Sequence, residues 1–303
     1  MGKWVSYRNG NYVVMFNAEN GTKIRHTKFD EFVPEFAENC DVKITDKCDG
    51  GCQFCYEGCT PEGKHGDILN AKWVDTLHPY TELALNGNDL SHPDLYDFLV
   101  KLREKKVFAN LTVNQIHFEK HFDYLKSLSD EKLIHGLGVS LVNPTVEFIS
   151  KLKAIPNTVI HTISGVLTEE QVKKLSDEDL KILILGYKHR ERGKDYYLNH
   201  ESEVIRNQKW LYRNLEDMIK HFKVVSFDNL AIEQLDVKGL MSNEEWEEFY
   251  MGNDGNFTYY IDTVEGAFSK NSIASDNERY PIGDKSIDEM FQIVKGKADD
   301  SKM

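Results

Sequence analysis

Apolar and polar positions change rhythm twice along the chain. The first stretch alternates in short runs, Trp4-Val5, Tyr12-Val13-Val14-Met15-Phe16 and Lys23-Ile24, parted by Asn9-Gly10 and Asn20-Gly21. Asn-Gly suits the positive φ angles of tight hairpin turns, so residues 1–38 predict a small antiparallel β meander. From Val42 the rhythm becomes short apolar runs alternating with amphipathic stretches, the pattern of βα units on a parallel sheet. Strands are expected at Val42 to Thr45, Thr81 to Leu85, Val107 to Val113, Ile134 to Leu141, Thr158 to Val166 and Lys181 to Gly186. Helices are expected at Pro93 to Lys105 and Pro144 to Leu152, each opening on a turn with a proline that the first helical turn tolerates. Six such units are too few for a closed eight-stranded barrel, so residues 39–222 predict an α/β fold of the open, partial-barrel kind. A longer helix is expected around Glu201 to Phe222. Residues 223–303 then predict a helix near Asn243 to Phe249, a hairpin from Phe257 to Phe268 and a last helix over Ile287 to Val294, together a small α+β extension.

Composition narrows the class. The 303 residues are 40% apolar and 29% charged, ordinary values for a soluble globular protein with a large core. No apolar run reaches the roughly 18 residues needed to cross a bilayer. The opening Met1-Gly2-Lys3-Trp4-Val5-Ser6 lacks the apolar stretch of a signal peptide, so a cytoplasmic location and no membrane partner are expected. The formal charge of −13 repels phosphate backbones, which argues against a broad nucleic-acid surface.

The chemistry concentrates in five cysteines, Cys40, Cys48, Cys52, Cys55 and Cys59. An odd number in one short cluster argues for metal chemistry over a disulfide framework. Cys48-Asp49-Gly50-Gly51-Cys52-Gln53-Phe54-Cys55 sets three thiols in a CxxxCxxC spacing, directly after the first strand of the βα series. Three thiolates on one loop can hold three irons of a cubane cluster and leave the fourth open. Gly50 and Gly51 allow a sharp turn and expose backbone N–H groups toward sulfide. With Cys59 added, the same thiols would close a tetrahedral zinc site, and a non-enzymatic zinc-binding module stays open on the cysteines alone.

These residues resemble the hallmark of the radical S-adenosylmethionine (SAM) superfamily, CxxxCxΦC after the first strand of a partial (β/α)6 barrel, with Phe54 as the aromatic Φ. The resemblance covers roughly residues 40–186. It implies a 4Fe–4S cluster on Cys48, Cys52 and Cys55 whose open iron chelates the amino and carboxylate groups of SAM. It also implies reductive cleavage to a 5′-deoxyadenosyl radical that takes a hydrogen from the substrate, fed by a flavodoxin- or ferredoxin-type electron donor. The family's Gly-Gly-Glu-Pro loop is here Asn86-Gly87-Asn88-Asp89, so Gly87 and Asn88 become cofactor-binding candidates, with an amide oxygen in place of a carboxylate facing the SAM ammonium. Asn114 and Ser140 resemble strand-end positions that contact the ribose. Tyr56 fits the adenine contact, and Ile163-Ser164-Gly165-Val166 is similar to the family's strand that packs on adenine.

Further candidates lie at strand ends. The sixth strand runs into Tyr187-Lys188-His189-Arg190-Glu191-Arg192-Gly193-Lys194, a basic run at the face where parallel barrels keep their active sites. Lys188 and Arg190 are candidates to clamp the SAM carboxylate or an anionic substrate group. Cys40 and Cys59 are spare thiols that could return a hydrogen atom to a substrate radical, or a buried small hydrophobe and a plain loop residue. His65 follows the cysteine loop closely enough to approach a substrate. The hairpin, Pro281-Ile282-Gly283 and the helix after it resemble a SPASM or Twitch extension stripped of its cysteines; an ordinary cap on the open barrel has the same outline. The resemblance implies a peptide or protein substrate, received by strand addition at the meander. A nucleotide-like small molecule at the basic run is the alternative.

Overall fold

The computed structural model describes residues 4–86 and 90–300. The meander forms as expected: β1 (Trp4–Asn9), β2 (Tyr12–Asn17) and β3 (Lys23–His26) pair antiparallel. All six expected βα strands form as β4 (Asn39–Lys43), β5 (Glu82–Asn86), β6 (Phe108–Asn114), β7 (Gly136–Ser140), β8 (Thr158–Ile163) and β9 (Lys181–Leu185). Each pairs parallel with the next. The connections carry α1 (Lys72–Asp75), α2 (Leu95–Glu104), α3 (Gln115–Lys120), α4 (Phe122–Asp130), α5 (Val146–Lys153) and α6 (Glu169–Leu175).

Strand side chains alternate between two faces. Val42, Leu83, Leu85, Leu111, Val113, Leu137, Val139, Ile182 and Ile184 are buried in one core with Phe98, Phe118 and Phe148 of the helices. The positions between them are small or polar, among them Asp41, Ala84, Asn110, Thr112, Gly138 and His161. One sheet face is thus the core and the other the polar interior of the open barrel.

Two regions differ from the sequence expectation. The long helix α7 (Glu191–Met218) begins ten residues early, taking half of the basic run into its first turn, and kinks at His200. Sheet order is β10-β9-β8-β7-β6-β5-β4-β11-β12-β13, in which β10 (Val224–Phe227) is a further parallel strand beside β9. The expected hairpin forms as β11 (Thr258–Asp262) and β12 (Ala267–Ser269), followed by β13 (Tyr280–Pro281). It does not stand apart, because β11 pairs parallel with β4 and extends the same sheet. Helix α10 (Ile287–Asp300) lays Met290 and Phe291 into the core that holds Val42 and Tyr259. Between β10 and β11 lie α8 (Asn229–Gln234) and α9 (Asn243–Phe249).

The meander covers the amino ends of β4 to β6. Phe16 stacks against Phe108, the first residue of β6, with ring centroids 4.6 Å apart. Lys23 reaches Glu82, the first residue of β5, at 2.9 Å and Glu38, just before β4, at 3.3 Å. The carboxyl ends of the same strands are left to the loops. Among the described residues no helix is long and apolar enough to cross a membrane.

Candidate active site

The segment after β4 is a long excursion whose stem is laced by its own backbone. Gly66 N–H donates to Ile44 O, Asp46 N–H to Lys64 O, Thr60 N–H to Asp46 O and Cys48 N–H to Thr60 O, all within 2.8–3.0 Å. These bonds satisfy groups that a bare loop would leave to water and present residues 48–59 as a closed tip at the carboxyl end of the sheet. Gly51 turns the tip with φ +60°, where a side chain is strained. Gly50 serves differently: a Cβ there would meet Cys48 Sγ and His117 Cε1, each at 3.3 Å.

Three neighbours hold the cysteines. Asn114, the last residue of β6, caps α3 by accepting from Ile116 N–H at 2.9 Å, and its Nδ2 donates to Cys52 Sγ at 3.4 Å. Arg192 in the first turn of α7 donates from Nε to Cys52 O at 3.0 Å and from Nη1 to Cys59 O at 2.9 Å, bracketing the tip. Gly50 N–H donates to Cys48 Sγ at 3.4 Å. Cys48, Cys52 and Cys55 are half-buried thiols and Cys59 is buried. The hydrogen bond with Cys59 draws the Cys55 thiol down to about 6 against the burial that raises it, while the same contact and burial push Cys59 up. Burial, then the neighbouring Cys55, raises Cys52. Among the described residues no three Cys, His, Asp or Glu side chains gather round one point as a single metal ion requires.

A buried ionic knot anchors the loop to the sheet. Lys43 at the end of β4 lies 3.2 Å from Glu57 of the loop and 3.5 Å from Asp262 of β11. Burial opposes the charge on Lys43, yet the two carboxylates keep its ammonium above the usual range. Beside Cys52 opens a hollow of about 250 Å³, with Phe54, Ile116, Leu141, Val166 and Leu167 among its apolar lining.

The other expected site residues fall in several places. Phe54 lines the hollow and meets Tyr196 edge-on at 5.7 Å. Tyr56 lies under Lys188, whose Nζ is 3.9 Å from the ring centroid, and burial followed by Glu57 raises its hydroxyl. Lys188 also donates to Ser272 Oγ at 3.0 Å, and Arg190 to Ser272 O and Ala274 O at 3.0 and 3.1 Å. Both basic residues therefore tie the 270–275 segment across the barrel mouth. Ser140 ends β7 beside Asn114 in the ladder. Gly87 and Asn88 lie outside the described residues. Cys40 sits at the amino end of β4 with its thiol in the core, raised by burial, and so is away from the mouth. His65 is 2.9 Å from Thr45 Oγ1 in the loop's stem.

The sequence reading missed Arg192 as the arginine that touches the loop, and it missed His117. Arg192 was only one of several charges in a run. His117 is a single histidine in a short helix, with no spacing to connect it to Asp49, from which its Nε2 is 2.5 Å.

The chain matches no protein-family model, and no curated protein matches it. Solved structures do resemble it. The crystal structure of Streptococcus suis SuiB bound to S-adenosylmethionine aligns over 98% of this chain and 89% of its own, at TM-score 0.65 and 10% identity. SuiB bound to precursor peptide SuiA gives the same figures. SuiB alone aligns over the same shares with TM-score 0.62 and 11% identity. At such identity the likeness is one of fold.

Proposed function

We propose that this chain is a radical SAM enzyme with a 4Fe–4S cluster on Cys48, Cys52 and Cys55, acting on a peptide. The observation that carries the reading is the laced loop at the carboxyl end of β4. It offers three thiols of CxxxCxxC spacing beside the Asn114 amide, on a fold shared with a protein that binds SAM and a precursor peptide. The donor set suits a cluster: all three cysteines sit on one tip, and N–H groups already point at two of the sulfurs. When bound, the cluster would supply the electron for reductive cleavage of SAM, from a flavodoxin- or ferredoxin-type donor.

The chain's own residues bind, orient and exclude water. Arg192 fixes the carbonyls at both sides of the tip, so the thiols keep one spacing. Asn114 places a polar hydrogen on Cys52 and leaves its own oxygen engaged by the helix cap. The hollow at Phe54 and Ile116 sets apolar side chains beside the proposed cluster, so that a bound substrate closing it would shield a radical from quenching. Gly87 and Asn88 are proposed for the SAM amino group, Ser140 for the ribose and Tyr56 for the adenine; Asn114, expected at the ribose, has both polar atoms engaged.

A peptide is favoured over a nucleotide-like molecule at the basic run because Lys188 and Arg190, expected to clamp the SAM carboxylate or an anionic substrate group, are engaged by Ser272 and Ala274. The meander remains the proposed place for strand addition: it lies at the amino end of the sheet, roughly 16 Å from the loop, a span that about five extended peptide residues cover.

The test is anaerobic reconstitution with iron and sulfide, reduction, and assay of 5′-deoxyadenosine from SAM with and without peptides encoded beside the gene. The expected outcome is cluster loading and deoxyadenosine release stimulated by one such peptide. Cys52→Ala should lower release by about 100-fold or more, at least the scale of a lost metal-site partner. Zinc in place of iron with SAM intact would overturn the reading.

A further inference from the structure

His117 lies on α3 with 2% of its side chain exposed, packed against the cysteine loop. Its Nε2 meets Asp49 Oδ1 at 2.5 Å, and Asp49 stands between Cys48 and Gly50 in the loop. Its Nδ1 is buried and has no hydrogen-bond partner among the described residues. A buried ring nitrogen without a partner costs stability, and in a native site it calls for an explanation. The position of the ring supplies one. The Cβ that Gly50 lacks would lie 3.3 Å from Cys48 Sγ, 3.3 Å from His117 Cε1 and 4.0 Å from His117 Nδ1. The sulfur and the unpartnered edge of the imidazole therefore face one small space, kept open by the missing side chain.

We propose that His117 is a positioning residue for the cluster, held by Asp49 on its Nε2 side and donating from Nδ1 to the Cys48 sulfur or an adjacent sulfide. The proposal rests on the cluster assignment above and adds a residue outside the cysteine motif. Reduction adds negative charge to the cluster, so a donor at its sulfur stabilises the reduced state more than the oxidised one and raises the midpoint potential. Asn114, the cap of the same helix, does the same for Cys52, and Cys48 and Cys52 flank the pair of glycines.

The test is the midpoint potential of the anaerobically reconstituted protein, read by dye-mediated redox titration with electron paramagnetic resonance and without turnover. An asparagine amide nitrogen overlays Nδ1 of histidine, and a glutamine amide nitrogen overlays Nε2. His117→Gln should keep the link to Asp49 and lose the donor toward Cys48. It is expected to move the reduced-to-oxidised ratio about tenfold toward oxidised at a fixed poise, about 59 mV for one electron. His117→Asn should stay within about threefold of the native ratio. If His117 only anchors the loop through Asp49, the order reverses, with Gln native-like and Asn shifted, and the proposal is overturned. Equal potentials in all three proteins overturn it as well. Asp49 is largely exposed, so Asp49→Asn leaves the fold intact; it should shift the ratio in the direction of Gln. Should both histidine variants lose the cluster, Asp49→Asn decides alone, and a native potential there sinks the assignment. A native protein that takes up no cluster would instead refute the underlying cluster reading, a result distinct from a loaded cluster indifferent to His117.

Discussion

The two ends of β4, β5 and β6 solve opposite problems with the same strands. At the amino end the meander brings side chains into direct contact: Glu38 accepts from Tyr12 at 2.5 Å and Arg25 at 2.9 Å, with Lys23 at 3.3 Å and Phe16 on Phe108 beside them. At the carboxyl end the loop is held by backbone lacing, by Arg192 on carbonyls and by the Lys43–Glu57 pair, so that an imidazole edge and an apolar hollow are left beside the cysteines. In parallel barrels the amino face serves stability and the carboxyl face chemistry. The contrast teaches where that division comes from here: the amino end is fastened by side chains on side chains, whereas the carboxyl tip is held chiefly at its main-chain groups, above one buried ion pair.

The sharpest way to break this contrast is Glu38→Ala. Glu38 is 1% exposed, and its loss strands the buried guanidinium of Arg25, while Lys23 keeps Glu82. Removing one partner of a buried ion pair costs about 3–5 kcal/mol, to be read by chemical denaturation. Iron loading per folded molecule should not change; a parallel fall would mean that the ends are coupled. Burial alone would push the Glu38 carboxyl up, but Lys23, Arg25 and Tyr12 outweigh it and hold it below the usual range. Its contribution is therefore present above the ordinary carboxylate range and is lost as pH falls through the lowered value.

A smaller effect separates the ends by pH. His161 lies against Gly138, where an added Cβ would come 2.3 Å from its Cε1, and it pairs with Ser140 at the carboxyl end of β7. Burial pushes its imidazole down to about 4 from 6.5. The unfolded chain then takes up the proton first, so stability is full above about 6.5 and declines as pH falls toward 4. The slope is at most about 1.4 kcal/mol per pH unit. Denaturation curves at pH 7, 6 and 5 should show it in the native protein and flattened in His161→Gln, while Glu38 acts at lower pH. An unchanged slope in the variant would place that titration elsewhere.

What the sequence revealed follows the same division. The six βα strands were legible because alternation and turn residues are local signals, and the thiol spacing was legible because all its members lie on one loop. The place of β11 was not. Its buried run, Thr258–Asp262, reads equally as a free hairpin, and only pairing with a strand far away in the chain makes it part of the sheet. The basic run marked the end of β9 but not which of its arginines touches the cysteine loop. The charged opening of α7 hid the helix start: Arg190 is the extended residue before it and meets Ser272 and Ala274, while Arg192 lies in the first turn and meets the loop. His117 carried no sequence signal, since its link to Asp49 exists only after folding.

The finest test asks whether a carboxyl-end residue can be split into its structural and chemical halves. Asn114 uses Oδ1 to cap α3 and Nδ2 to reach Cys52 Sγ. Asn114→Asp keeps an oxygen for the cap, so stability should stay within about 0.5 kcal/mol, whereas Asn114→Ala loses about 1 kcal/mol with the cap. Aspartate also removes the donor and sets a carboxylate against the sulfur. Iron should then be stripped by a chelator at roughly tenfold lower concentration, the low end of what lost outer partners of metal ligands cost. Native chelator resistance in the aspartate variant would make Asn114 a cap alone. Asn114 would then only fasten structure, as side chains do at the amino end, and the division between the two ends would fail at a residue that touches a proposed cluster ligand.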